Sequence, residues 1–400
     1  MPDGGSRVRR WLRALERAGQ GVLLRAVGAI TGSHRTPPPD WDARPYRVLY
    51  VRHDGIGDLI MSTGVLRALV ERHPSLEVDV LTYPTNAEVL EGLGFIHRLV
   101  PFRPGRRWAY PPRVLGWLRR ARYDVVIDAM MRRVADGHVY HASVKGSTVM
   151  LMLASRAPYR VGMGERPHDF IYSLPVTPGD GSVHPVLYSA AVLVPFGVDP
   201  GRADLRPELV VTAGERETAV DRWRGLGDGG GGPRVLVNVS AGNGRRRWPD
   251  DRFVGVVRHV RRRVPEAVVA VIGAPDEEGR VAGIAGEAGV PAERTRGIRE
   301  ALALVATADL VLTPDTSVSH AAAALGVAVV VMVPRGGERY VPYGGSAEPV
   351  VSPGETLACL DLGPVCTALD AVLQALAGAR GGVVRGPGGG DGRRAEPSTL

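Results

Sequence analysis

The chain has almost no lysine: Lys145 stands alone among 50 basic residues, so every other cation is an arginine. Any anion held here by charge must meet guanidinium groups, planar forks that suit phosphate and carboxylate oxygens. Cysteine is equally scarce. Cys359 and Cys366 are the only two in 400 residues, which excludes a disulfide scaffold and offers no zinc-ligand cluster. No D-x-D, paired-histidine or H-E-x-x-H pattern supplies a metal-ligand set, so no metal is expected. No uninterrupted apolar run approaches the ~18 residues that span a bilayer. Charge also interrupts the N-terminal apolar residues, which argues against a signal peptide and for a cytoplasmic location.

What charge there is lies mostly at the ends. The formal net charge is +8, yet residues 1–44 carry eight Arg against four acids and residues 379–400 four Arg against two. The body between them keeps only +2. A nucleic-acid partner needs a basic footprint on the folded part, and none is expected. With 44% hydrophobic and 23% charged residues, the chain reads as globular and long enough for two domains.

Residues 7–30, RVRRWLRALERAGQGVLLRAVGAI, set Trp11, Leu12, Leu15, Val22, Leu23 and Val27 at helical spacing among arginines. Such a segment either docks on an anionic membrane surface, here the inner one, or packs on the domain as an extra helix. A Pro-rich linker, 34–45, follows. Strands then alternate with amphipathic helices. The expected strands are Tyr46–Val51, Val78–Tyr83 and Asp124–Ala129, then Val235–Val239, Val268–Ile272, Leu310–Thr313 and Val327–Val333. Most are continuous apolar runs, the mark of parallel strands buried on both faces. The pattern occurs twice, which predicts two doubly wound α/β domains facing each other across a cleft. The divisions expected are an N-terminal extension (1–44), a first Rossmann-like domain (45–205), a second (206–345), a helical segment (346–378) and a disordered Gly/Arg-rich tail (379–400).

Ligands of open α/β sheets bind beyond the carboxyl ends of the strands, so the loops there carry the chemistry. The first loop, in VRHDGIGDLIMSTGVLRAL (51–69), has Gly55 and Gly57 but Ile60 where a dinucleotide fingerprint needs a third glycine. The second strand ends in Leu-Thr-Tyr, without the acid that would hold a ribose. A nicotinamide cofactor is thus disfavoured. What remains is a turn that sets Asp58 at a helix start, either as an ionised general base or as a helix N-cap. The second loop, NVSAGNGRRRWPDDRF (238–253), offers Ser240, Gly242 and Gly244 for backbone donors and Arg245, Arg246 and Arg247 for charge. Set before a helix start, it suits a diphosphate. The third, TPDTSVSHAAAALG (313–326), crowds Asp315, Thr316, Ser319 and His320 at one strand end, where either of the first two could cap the helix. The fourth, GAPDEEGR (273–280), places Asp276 and Glu277 within reach of a ribose hydroxyl.

The order and spacing of VRHDGIGDLIMSTGVLRAL, YDVVIDAM (123–130), SAGNGRRRWPDDRFVGVV, VIGAPDEE and ADLVLTPDTSVSHAAAALGVAVV resemble the heptosyltransferase family, glycosyltransferase family 9. The resemblance implies the GT-B fold and an inverting, metal-independent transfer of a sugar to a glycan or lipid-linked acceptor. No cofactor is implied beyond the nucleotide-sugar co-substrate, ADP-heptose being the family's association. It casts Asp58 as the base, with Arg52, Gly55 and Gly57 as the acceptor-side loop. Arg246 takes the place of a lysine that contacts donor phosphates. Nucleoside contacts map near Gly273, Asp276 and Ile298. One departure is Ser317, where the family has glycine. A catalytically silent relative and a nucleotide-sugar epimerase of the same fold are the alternatives.

Overall fold

The computed structural model describes residues 35–103, 110–130, 146–164, 169–177, 183–227 and 231–381. The N-terminal amphipathic segment and the tail beyond residue 381 lie outside the described residues. The apolar runs form two all-parallel sheets. The first comprises β1 (Arg47–Val51), β2 (Glu77–Thr82), β3 (Arg98–Pro101), β4 (Val125–Asp128), β5 (Tyr159–Met163) and β6 (Leu174–Val176), in the order β3-β2-β1-β4-β5-β6. The second comprises β7 (Arg234–Asn238), β8 (Val268–Ile272), β9 (Leu310–Pro314), β10 (Ala328–Val333) and β11 (Ala347–Val351), in the order β11-β10-β9-β7-β8.

Each order contains one place where the winding reverses: between β1 and β4, and between β7 and β9. Loops leaving adjacent strands part there and open a crevice. Four strands, β3, β5, β6 and β11, escape the sequence pattern. β3, β6 and β11 are sheet edges, and Arg98, Pro175 and Pro349 break their apolar runs, while the internal β5 is interrupted by Arg160. Edge strands need no double burial and tolerate proline. The second sheet also runs past the boundary drawn at residue 345, because β11 pairs in parallel with β10 from Val329↔Ala347 to Val333↔Val351.

Three helices line the cavity at the strand ends, α1 (Ile56–Arg72), α3 (Glu278–Ala288) and α4 (Ser317–Ala324), and α2 (Asp250–Arg263) and α5 (Leu362–Gly381) pack on the second sheet away from it. α1 is apolar nearly all round, with every residue from Leu59 to Leu66 buried. It is covered on its outer side by the segment that joins the halves. A Cβ at Gly64 would stand 2.2 Å from the Leu205 carbonyl oxygen, so only glycine allows that approach. On the second half, α2 has the opposite design, burying Phe253, Val254, Val256, Val257 and Val260 while arginines line its outer face. One hydrophobic cluster holds residues of both sheets, from Val48, Val78 and Leu66 through Ala321 and Ala322 to Leu304 and Val331. Two further clusters back the outer faces, one around Trp248, Phe253 and Leu369, the other around Leu49, Tyr123 and Tyr172.

Candidate functional site

The carboxyl ends of the two sheets face a cavity of about 1080 Å³. Its first wall is short. The backbone leaves β1, turns at Gly55 and enters α1, contributing Gly55, Ile56, Gly57, Asp58 and Met61. Gly55 occupies the N-cap position and no side chain caps the helix. Asp58 is the third helical residue, so the capping role is not its own. Its carboxylate stands in the first turn of that helix.

The opposite wall is built from three strand-end loops. After β7, Ser240, Ala241, Gly242, Asn243, Arg246 and Arg247 line the cavity. Asn243 fixes the turn: its side-chain oxygen accepts from the backbone N–H of Arg245 at 3.0 Å and of Arg246 at 3.3 Å. Ser240 bridges to the next loop by accepting from the Ala274 N–H at 2.5 Å. After β8 come Ala274, Asp276, Glu277 and Arg280. After β9 come Asp315, Thr316, Ser317 and His320. Thr316 is the N-cap of α4, its hydroxyl accepting from the Val318 N–H and, at 3.3 Å, from Asn238 at the end of β7.

Cations on this wall are aimed by acids. Arg246 donates to the Asp315 carbonyl at 2.9 Å and pairs with its buried carboxylate at 3.0 Å. Arg280 is nearly buried, ion-paired with Asp250 at 2.8 Å and Glu277 at 3.2 Å, and donates to the Trp248 carbonyl. Arg247 is half-exposed with Glu277 only at 4.0 Å. A guanidinium held by a carboxylate is already ordered and meets a ligand with little further loss of side-chain entropy. The helix end that meets the cavity is that of α4, at Thr316 and Ser317, whereas Pro249 and Asp250 at the start of α2 do not line it. The loop before α2 thus lines the cavity as expected, but the helix start beside it is that of α4 and not that of α2.

Several expected residues lie elsewhere. Arg245 turns outward to the Glu355 carbonyl, 3.0 Å away. Ser319 is buried and donates back to the Thr316 carbonyl at 2.7 Å. Ile298 packs against the shared core, and Gly273 sits behind Ser240, near enough that a Cβ there would be 3.2 Å from its hydroxyl. Arg52 is fully buried under the first loop and not at the cavity. Beside it, burial pushes the Tyr50 phenol up to about 12, so that neighbour stays neutral. Asp128, at the end of β4, accepts from Tyr172 at 2.5 Å and does not line the cavity. Sequence reasoning missed Arg280, Met61 and Tyr340. Arg280 had a signal, standing three residues after Glu277 at a helix start, the spacing of an ion pair. Tyr340 had none, because it arrives on a Gly-rich loop beyond β10.

The walls touch. A Cβ at Gly57 would lie 2.9 Å from Cδ2 of His320 and 3.6 Å from Cα of Ser317, so α1 and α4 meet backbone to side chain at the floor of the cavity. Among the described residues, no cluster of metal-ligating side chains occurs and no helix is long and apolar enough to cross a membrane.

The fold is shared with solved glycosyltransferases. A family 9 glycosyltransferase from Veillonella parvula superposes with a TM-score of 0.69 at 17% identity, over 85% of this chain and 100% of that one. The ADP-heptose lipopolysaccharide heptosyltransferase II of E. coli gives 0.65 at 19% identity, over 83% and 99%. The E. coli heptosyltransferase WaaC with ADP gives 0.63 at 18% identity, over 82% and 99%. A search of functionally curated proteins returns no significant match. The sheets and their crevices are those of the GT-B fold, and the family model "Glycosyltransferase family 9 (heptosyltransferase)" matches residues 115–361. Two facing switch-point crevices, an aspartate on one wall and arginines on the other thus have a family to go with them: the chain belongs to glycosyltransferase family 9.

Proposed function

We propose that this glycosyltransferase moves a sugar of the heptose type from a nucleoside-diphosphate donor to a glycan or lipid-linked acceptor, with inversion at the anomeric carbon and without a metal ion. The observation that carries this reading is the division of the cavity. Among the described residues, the wall that carries Asp58 contributes no cation to the lining, while Arg246, Arg247 and Arg280 stand on the other. Charge that develops on a departing diphosphate is stabilised where donors are already fixed, and the acid-held arginines and the α4 N-terminus meet that need. An acceptor hydroxyl entering from the first half would lose its proton to Asp58 as it attacks from the face opposite the diphosphate. Support for the donor class comes from the relatives, since WaaC was solved with ADP and with ADP-2-deoxy-2-fluoro heptose.

The test is the Asp58→Asn variant, assayed by ADP release from ADP-heptose with a heptose-free lipopolysaccharide core as acceptor, and by calorimetric titration with ADP. Turnover should fall ~10²–10⁴-fold, the usual contribution of a general base, while ADP affinity stays at the wild-type value. Appreciable turnover in that variant would refute the base assignment. Stabilisation by UDP but not by ADP in a thermal-shift series would refute the donor.

A further inference from the structure

Arg52 is the one fully buried arginine among the described residues, and nothing in a sugar transfer accounts for it by direct contact. Burying a guanidinium costs several kcal/mol unless every edge is satisfied. Here the two terminal nitrogens are hydrogen-bonded on different elements, and Nε has a charge contact without a hydrogen bond. One terminal nitrogen donates to the Ala129 carbonyl just past β4. The other donates to the Asp58 carbonyl in the first turn of α1 at 2.8 Å. Nε faces the Asp54 carboxylate at 3.0 Å. The Arg52 N–H donates to Leu81 of β2 at 3.1 Å, and Ala129 N–H to Val51 of β1 at 3.2 Å. Arg52 therefore bridges the gap where β1 and β4 part, and its fork closes on the residue that lines the cavity. Ser62 adds a second donor to the same Asp58 carbonyl at 3.0 Å.

We infer that Arg52 is a positioning residue for Asp58: its guanidinium fixes the backbone of that residue, and so the distance between the carboxylate and the attacking hydroxyl. This rests on Asp58 being the base. The role needs the planar fork. A lysine ammonium keeps the charge but cannot span two carbonyls set on separate elements while facing Asp54. Displacing a reacting group by about 1 Å typically costs ~10²-fold in rate.

The experiment is a double-mutant cycle of Arg52→Lys and Asp58→Asn in the full chain, with ADP-heptose and the core acceptor for turnover and ADP for binding. Arg52→Lys should lower kcat ~10²-fold with the KM for ADP-heptose and the affinity for ADP unchanged. It should also speed hydrogen exchange of the amides from Gly57 to Met61 while the melting temperature stays near wild type. The double variant should be no slower than Asp58→Asn alone, because a residue acting through the base has nothing left to position. Arg52→Lys turnover within threefold of wild type overturns the inference. So does a double variant slower than Asp58→Asn by the full Arg52→Lys factor, an outcome that leaves the base assignment standing. Normal turnover in Asp58→Asn instead overturns both, and the single variant identifies that case. Should Arg52→Lys unfold, Ser62→Ala, which removes the second donor to the same carbonyl, is expected to show the same split between kcat and KM at smaller amplitude. A Ser62→Ala kcat equal to wild type would then count against the inference.

Discussion

The loops after β1 and after β7 occupy equivalent places, each leaving a central strand at a point where the sheet winding reverses. They are held in opposite ways. The first is tied from beneath by a buried arginine and shows the cavity a carboxylate. The second is braced by Asn243 and Ser240 and shows the cavity its arginines, with acids behind them. The same fold thus yields an acidic lining and a cationic lining according to which charge lies under the loop and which lies on it.

Four changes probe that contrast. Asp58→Asn carries the largest expected effect, a ~10²–10⁴-fold loss of turnover with ADP binding retained. Arg246→Gln should give the converse, weakening ADP ~10–100-fold, since hydrogen bonds to charged groups contribute ~1.5–3 kcal/mol. A titration in which Arg246→Gln binds ADP normally would remove the second loop from donor recognition. Gly57→Ala strikes the floor where the walls meet. Its Cβ would press on His320, which is buried and has little room to yield, and overpacking of this kind costs ~1–3 kcal/mol. Calorimetry should show the lowered melting temperature, and an unchanged one would mean that α1 and α4 separate freely.

The smallest effect concerns His184, which joins the halves above the site. Its Nε2 donates to the Val341 carbonyl at 2.9 Å and its Nδ1 accepts from the Val186 N–H, so the ring is held neutral. Burial lowers its pKa below the ordinary 6.5. Below about pH 6.5 the unfolded chain takes up a proton that the folded one resists, so this residue makes stability fall as pH falls through that value. His184→Asn should flatten the slope between pH 7 and 5. An identical slope in the variant would assign it to other groups.

The central strands were legible because VLYV, VDVL, VVID and VLVN can only be buried on both faces, and the edge strand β8 was legible because VVAVI is apolar and buried throughout. The edge strands β3 and β11 were not, since they lean on one neighbour and carry Arg98 and Pro349 without penalty. Asp58, Arg246, Asp315 and His320 were legible as loop chemistry, for short polar groups at strand ends have few other uses. Depth was not. Arg52 and Ile298 look like surface and site residues in the chain, yet one is interred under the loop and the other belongs to the core. Which helix start would face the cavity was equally hidden, since the capping signals at Thr316 and at Pro249 are local, whereas the choice depends on how the two sheets are set against each other.

The hydrophobic cluster that runs from Val48 through Ala321 to Val331 has a thermodynamic consequence. Neither half can lose its inner face without exposing the other's, so the energetic unit is the pair. A scanning calorimeter should record one endotherm whose van't Hoff and calorimetric enthalpies agree, where two lobes with private cores would give two. A ligand seated on the second-half loops would then raise the melting point of the whole molecule.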